Sequence, residues 1–449
     1  MHPKNWITSV GFIFFIQIVF AQGKTDSTAD KKWTTHFQLT VISQIHSGFK
    51  SPYSGMNSLA DSVEQVATSI TATLFLGRKL WKGAAFYFNP EISGGRGLSY
   101  TKGIAGALNG ETYRVGNTAP QPFVARAYLQ QHIPLSNTGY VEANDDVNQV
   151  TDKIPVKRIT VSAGRFSISD FFDDNSYSKD PRTQFFNWSI WANGAWDYPA
   201  NTRGYTYGLV VQWIKPGWGI GFSSVAVPII ANFHLMEYHF SNAHSETVQF
   251  DHSFSISEKP GAVRLILSNT LSRAPSYKAG LSALAANDSF VLNVISGNEK
   301  NNSHGGKKFG VGVNAEQEIA KDLGMFVRSG WNDGKYASWA FTEIDQTICA
   351  GISLKGSRWK RDGDVIGMAA VVNGISTDHR NFLRAGGYGF IIGDGRLNYG
   401  HETIAEFYYN AKLFTFLWFG FDYQFVTNPG YNKDRGPVHV FGLRAHTEL

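Results

Sequence analysis

Two stretches near the end of the chain, Leu413–Phe425 and Val438–Leu449, alternate apolar and polar side chains with a period of two. Leu417, Phe419, Phe421, Tyr423 and Phe425 fall on one face, with Asp422 and Gln424 opposite. A strand turns successive side chains to opposite faces, so the pattern suits a sheet with lipid on one side and water on the other. It recurs along almost the whole chain, about sixteen times by alternation and turn residues. No uninterrupted apolar run after residue 22 reaches the length a spanning helix needs. Only helices and closed barrels satisfy their backbone groups in lipid. The expected fold is therefore all-β, a transmembrane antiparallel β-barrel of about sixteen strands.

The N-terminus fits that compartment. Lys4 supplies a positive start, Ile7–Phe20 a largely apolar core, and Val19-Phe20-Ala21 a cleavage site ahead of Gln22. Residues 1–21 are expected to be a signal peptide, 22–33 a short periplasmic segment with no room for a large plug, and 34–449 one outer-membrane barrel. A single cysteine, Cys349, means that no disulfide framework accompanies export, so barrel closure must stabilise the fold. A mean hydropathy of -0.21 is compatible, because lumen and loops dilute the lipid-facing residues. The net charge of +5 is scattered, which gives nucleic-acid binding no support.

Strands are expected at 34–44, 67–78, 84–94, 123–134, 158–168, 204–214, 217–227, 246–257, 261–271, 308–320, 325–334, 337–354, 365–374, 398–409, 412–427 and 438–448. Short turns at 77–83, 215–217, 258–260, 321–324 and 410–411 alternate with long loops at 48–66, 97–122, 170–203, 272–307 and 376–397. Outer-membrane barrels have short periplasmic turns and longer outer loops. Two connections depart from this: the turn 135–157 is long and the loop near Lys335 is short. A soluble sandwich or propeller also alternates, but its outer faces would be consistently charged. Here the polar faces mix Gly, Arg, Glu and Tyr, as a wet lumen would.

Parity puts most strand charges on one side. In Phe123–Ile133 the even positions are Val124, Arg126, Tyr128, Gln130 and His132, opposite Ala125, Ala127, Leu129 and Ile133. Arg158, Arg264, Arg328 and Arg444 follow suit, as do Glu316, Glu318, Glu402, Glu406 and Asp422. A charge facing lipid near the midplane costs about 2–4 kcal/mol, so these belong in the lumen. They either line an open channel or pair and plug a closed interior.

The most unusual segment is Asp170–Gly204. It carries Asp173, Asp174, Asp180, Arg182, Asp197 and Arg203 among Phe171, Phe172, Trp188, Trp191, Trp196 and Tyr198. So aromatic a loop is expected to fold against the barrel, and as the third outer loop it has the lumen available. Aromatic faces stack on sugar rings, while Arg forks and carboxylates bind vicinal hydroxyls. A loop merely packed on its own aromatic core is the alternative.

The strings NGETYRVGN (Asn109–Asn117), AGRFSISDFFDDNSYSKDPRTQFFNW (Ala163–Trp188) and AWDYPANTRGYTYG (Ala195–Gly208) resemble the carbohydrate-selective porins of the OprB type found in Bacteroidetes-like Gram-negative bacteria. The resemblance is dense over residues 70–245 and looser beyond. It implies a sixteen-stranded outer-membrane barrel that admits sugars by facilitated diffusion, narrowed by inward loops. The chain departs from the family in lacking an envelope-anchoring coiled coil and in ending on Leu449 rather than an aromatic residue.

The leading functional reading is thus a passive pore for mono- and oligosaccharides, with no cofactor and no metal. Its partners would be sugars, outer-membrane lipids, lipopolysaccharide and the barrel-assembly machinery, as a homotrimer or a monomer. The pathway is expected to use Asp173, Asp174, Asp180, Arg182, Trp188, Trp191, Trp196, Asp197 and Arg203 from the loop, with Arg126, Tyr128, Arg264, Glu316, Arg328, Glu402 and Glu406 from the wall. A barrel hydrolase or a closed receptor barrel are the alternatives. The histidines are scattered, no G-x-S-x-G elbow occurs, and His239 and His244 are the nearest thing to a pair.

Overall fold

The alternation closes into a barrel. In a computed structural model the structure describes residues 32–115 and 117–449; the expected signal peptide and all but the end of the segment 22–33 lie outside them. The strands of the first half are β1 (Trp33–His46), β2 (Ala67–Trp81), β3 (Ala84–Gly95), β4 (Gln121–Pro134), β5 (Tyr140–Ala143), β6 (Asp152–Pro155), β7 (Arg158–Phe166), β8 (Thr206–Lys215) and β9 (Trp218–Val225). Those of the second are β10 (His244–Ile256), β11 (Lys259–Ser272), β12 (Gly306–Ala320), β13 (Leu323–Asn332), β14 (Gln346–Lys355), β15 (Val365–Gly374), β16 (Glu402–Phe414), β17 (Leu417–Thr427) and β18 (Val438–Glu448). Sixteen of them form one closed antiparallel sheet, β1 pairing with β18 and β4 directly with β7, while β5 and β6 make a separate hairpin.

Closure leaves no edge strand to satisfy, and the faces sort as lipid demands. Phe222, Phe250, Leu265, Ile352, Phe419, Phe421 and Leu443 point outward, whereas Arg328, Arg444, Asp422 and Gln424 are buried inside. Among the described residues no helix is long and apolar enough to cross a membrane; the crossing is made by strands. At one rim Lys215 caps the edge-to-face pair Trp213–Trp218, its Nζ 4.5 Å from the Trp213 ring, an amphipathic anchor suited to the lipid headgroup level.

Every expected strand has its counterpart, and the differences have local causes. Residues 337–345 alternate yet do not extend β14: the backbone N–H groups of Trp339, Ala340 and Phe341 are taken by the Asp197 carboxylate instead of a neighbouring strand. The sixth outer loop is consequently residues 333–345, and the connection near Lys335 is not short. The turn expected at 410–411 falls at 415–416, because β16 runs on through an irregularity between Lys412 and Phe414. Residues 398–401 precede β16 and make only an isolated bridge, Tyr399 to Asn432. A bulge opposite Asn89/Pro90 reverses the parity of β4: Ala125 is fully buried, and Val124, expected in the lumen, faces lipid.

The outer loops pack as a cap. Helices α2 (Tyr277–Ala286) and α3 (Ser289–Ile295) come from the fifth loop and α4 (Thr377–Arg384) from the seventh. Tyr277 stacks on His379 at 4.1 Å, and His379 Nδ1 lies 3.1 Å from the Asp345 carboxylate, both groups fully buried.

Candidate functional site

The third outer loop, residues 167–205, enters the barrel as a built structure. Ser167 and Asp170 form a capping box around a short 3₁₀ turn, which fixes the Asp170 carboxylate. Further on, Asn187 caps the single-turn helix α1 (Trp188–Trp191), accepting from the Ser189 N–H at 3.0 Å. Such a loop carries backbone groups that neither helix nor sheet satisfies, and inside a barrel each needs a partner.

Strands β12–β18 supply those partners. Arg328 on β13 donates to the carbonyls of Ile190 (2.9 Å) and Ser178 (2.6 Å) and pairs with Asp173 at 3.2 Å. Arg444 on β18 donates to the carbonyls of Pro181, Thr183 and Gln184 at 2.8, 2.9 and 2.7 Å. Glu406 on β16 accepts from the N–H groups of Phe186 and, at 3.0 Å, Asn187. Hydrogen bonds to charged groups contribute about 1.5–3 kcal/mol each, so this wall holds the loop firmly. Two glycines let it come close: a Cβ on Gly330 would meet Asn193 Oδ1 at 2.0 Å, and one on Gly312 would meet Asn193 Nδ2 at 2.4 Å. Carboxylates clamp other loops in the same way. Glu402 accepts from Ala105, Gly106 and Gly430, and Asp197, besides its three N–H donors, takes Lys308 Nζ at 3.1 Å.

With the loop held on that side, a cavity of about 980 Å³ remains along β1–β4 and β7–β11. Its main charged groups pair with one another through their side chains. Arg126 holds Asp170 through two 2.7 Å hydrogen bonds. Arg182 reaches Glu111 (3.1 Å) and Glu91 (3.2 Å), and Tyr205 donates to Glu91 at 3.2 Å. Arg264 lies 3.1 Å from Glu316 and 3.6 Å from Asp251. Arg203 stacks over Phe123 at 4.0 Å. One flank is aromatic: Trp188 stacks on Phe341 at 4.8 Å and 8°, and Trp191 meets the same ring edge-on. Among the described residues, the buried atoms Glu111 Oε2, Trp191 Nε1 and Arg264 Nη1 find no hydrogen-bond partner.

Of the expected pathway residues, Arg126, Tyr128, Asp174, Asp180, Arg182, Trp188, Trp191, Arg203 and Arg264 border the cavity. Asp173, Trp196, Asp197, Glu316, Arg328, Glu402 and Glu406 do not; except for Trp196, which packs in the core, they hold loops or pair with residues that do border it. The charges along β12–β18 hold an inserted loop, whereas those along β1–β4 and β7–β11 pair with one another beside a cavity. Sequence reasoning did not single out Asp170, Glu91, Glu111, Tyr205 or Phe341. Glu91 was legible from parity, being in register two residues from Asn89 on the inner face; Phe341 was hidden by its strand-like surroundings.

A closed antiparallel barrel with an apolar belt, an inserted third loop and a charge-paired lumen defines an outer-membrane diffusion channel. The model of the family described as "Carbohydrate-selective porin, OprB family" matches residues 60–449, and the chain belongs to that family. Its fold matches the high-pH structure of Pseudomonas putida OprB with a TM-score of 0.65 at 17% identity, covering 93% of this chain and 94% of that one. The outer membrane channel DcaP of Acinetobacter baumannii aligns with a TM-score of 0.48 at 9% identity, over 93% and 97% of the two chains. A search of curated proteins found no match. The protein is a sugar channel of the Gram-negative outer membrane, and its family is one of porins.

Proposed function

We propose that mono- and oligosaccharides cross along the β1–β4 and β7–β11 half of the lumen by weak serial binding. The observation that carries this is the pairing of cavity charges with one another: Arg126–Asp170 is a neutral pair, and Arg182 is shared between Glu91 and Glu111. Such pairs exchange hydrogen bonds with vicinal hydroxyls while gaining little from a free ion, so they favour neutral polyols. Trp188 and Trp191 offer the apolar face that sugar C–H surfaces need. Each contact is individually weak, as release requires. Asp173, Arg328, Glu402 and Glu406 act indirectly in this reading, by keeping the loops in place.

In the same reading residues 1–21 are the export signal, so the mature protein begins at Gln22, and the apolar belt contacts outer-membrane lipid and lipopolysaccharide after insertion by the assembly machinery. Planar-bilayer conductance titrated with glucose, maltose and longer oligosaccharides tests the pathway. Saturable, sugar-dependent block is expected, and Trp191→Ala should weaken it more than it changes ion conductance. Equal loss of both would reject the aromatic flank as a sugar platform.

A further inference from the structure

The connection from β4 to β7 differs from the other periplasmic turns. Pairs such as 82–83, 216–217 and 257–258 suffice elsewhere, whereas this one runs 135–157 and contains the β5–β6 hairpin. It does not hang below the barrel. Asp146 and Gln149 exchange backbone hydrogen bonds of 3.1 and 3.0 Å that close its tip, with Asn148 between them at φ 54°, a conformation asparagine tolerates. Three barrel strands hold the hairpin: Lys79 on β2 pairs with Asp152 at 2.9 Å, His36 on β1 lies 3.1 Å from Asp145, and Asn89 on β3 donates to Asn148 Oδ1 at 2.9 Å.

Asn89 sits five residues into β3 and opposite Arg126 in the ladder. At about 3.4 Å per residue the tip therefore reaches about 17 Å along that strand. Val150 is buried in the same cluster as Tyr87 and Tyr128, and its N–H lies 3.4 Å from the Tyr87 hydroxyl. Phe171 of the third outer loop packs on Tyr128 at 6.1 Å, and Tyr128 on Tyr87 at 5.1 Å. Segments that enter from opposite ends of the barrel thus meet at this aromatic pair. Asp146, Asn148, Gln149 and Asp152 border the cavity, as do His132 and Arg158 on the adjoining wall.

We infer that residues 144–150 form an exit filter in series with the Arg182–Glu91/Glu111 cluster, a polar lip that limits the size of saccharide released to the periplasm. The inference rests on the pathway proposed above. The filter's groups are hydroxyl-binding amides and carboxylates, and the turn that carries them enters from the periplasmic end and reaches the level of Arg126, so a permeant moving inward passes them on its way out of the cavity.

The test replaces residues 144–149 with Gly-Gly in the full protein and compares it with Arg182→Ala. Single-channel conductance, glucose block and liposome swelling with maltooligosaccharides are measured for both. The shortened turn should raise conductance about twofold or more and admit longer oligosaccharides. An unchanged size limit together with unchanged conductance would overturn the exit filter. Retention of full glucose block by Arg182→Ala would instead overturn the pathway reading beneath it. Should the shortened turn fail to fold, Asn148→Cys labelled with a trimethylammonium methanethiosulfonate serves, since native Cys349 is buried. Labelling should lower conductance at least about twofold; no change would overturn the proposal.

Discussion

The two halves of the lumen wall carry the same kinds of residue at the same strand parity and use them differently. Along β12–β18, Arg328, Arg444, Glu402 and Glu406 spend their hydrogen bonds on the backbone of inserted loops. Along β1–β4 and β7–β11, Arg126 and Arg182, the latter from the loop itself, pair with carboxylate side chains. A charge bound to backbone is structural, because moving it strands several buried polar groups at once. A charge bound to another side chain at the edge of a cavity can exchange that partner for a passing hydroxyl. Residue type and parity place a group in the lumen; the identity of its partner decides what it does there.

The most disruptive way to break this comparison is Arg328→Met. It leaves Asp173 buried without its cation and takes a charged donor from the loop carbonyls of Asp173, Ser178 and Ile190, which is expected to destabilise the protein by about 3–5 kcal/mol. Heat-modifiability on gels should fall to lower temperature, and any folded channels should show enlarged conductance with sugar block lost. Normal conductance with normal block would mean that the third loop does not depend on this anchor. Gly330→Val comes next: its side chain would occupy the space of Asn193 and push the loop off the wall, at about 1–3 kcal/mol as in other overpacked sites, with the same direction of change in conductance.

On the opposite half, Arg182→Ala should lower thermal stability less than Arg328→Met, because Glu91 and Glu111 border the cavity and water there can solvate them, while lowering saccharide affinity, read from current block, about tenfold. A large loss of stability with unaltered block would reverse the roles assigned to the two halves.

The smallest effect concerns pH and the outer cap. Burial opposes ionisation of Asp345, but His379 and the Ser376 N–H outweigh it and hold its pKa below the ordinary range. For Glu343 burial wins over His379 and the N–H groups of Ile391 and Ile392, and its pKa is raised. The stability that Asp345 contributes is present above the unfolded value of about 3.9 and is lost as pH falls through its lower folded value. Glu343 behaves oppositely: its contribution is present below its unfolded value and is lost as pH rises through the higher folded one. At neutral pH, Asp345→Asn should therefore increase protease cleavage of the outer loops, whereas Glu343→Gln should change it little. The reverse ranking would contradict the assignment.

The barrel was legible because period-two alternation is a local property that lipid enforces on every strand. Where a strand-like stretch has its N–H groups taken by a distant carboxylate, as at Trp339–Phe341, the pattern misleads, since nothing nearby reports Asp197. Bulges are equally hidden, and one residue at Ala125 sufficed to turn Val124 outward. The third loop announced itself through its aromatic and acidic residues. Its anchoring side did not, because Arg328 and Arg264 look alike until their partners are known.

The most direct test of that division is cysteine accessibility in the folded channel. Gln130→Cys and Gln212→Cys lie on the cavity half, and Asn373→Cys and Gln424→Cys on the anchoring half, where both native side chains are fully buried. The first pair should react with a water-soluble thiol reagent and be protected by saturating maltose, while the second pair stays unreactive. Equal labelling of both halves, or no protection at Gln130 and Gln212, would contradict the account.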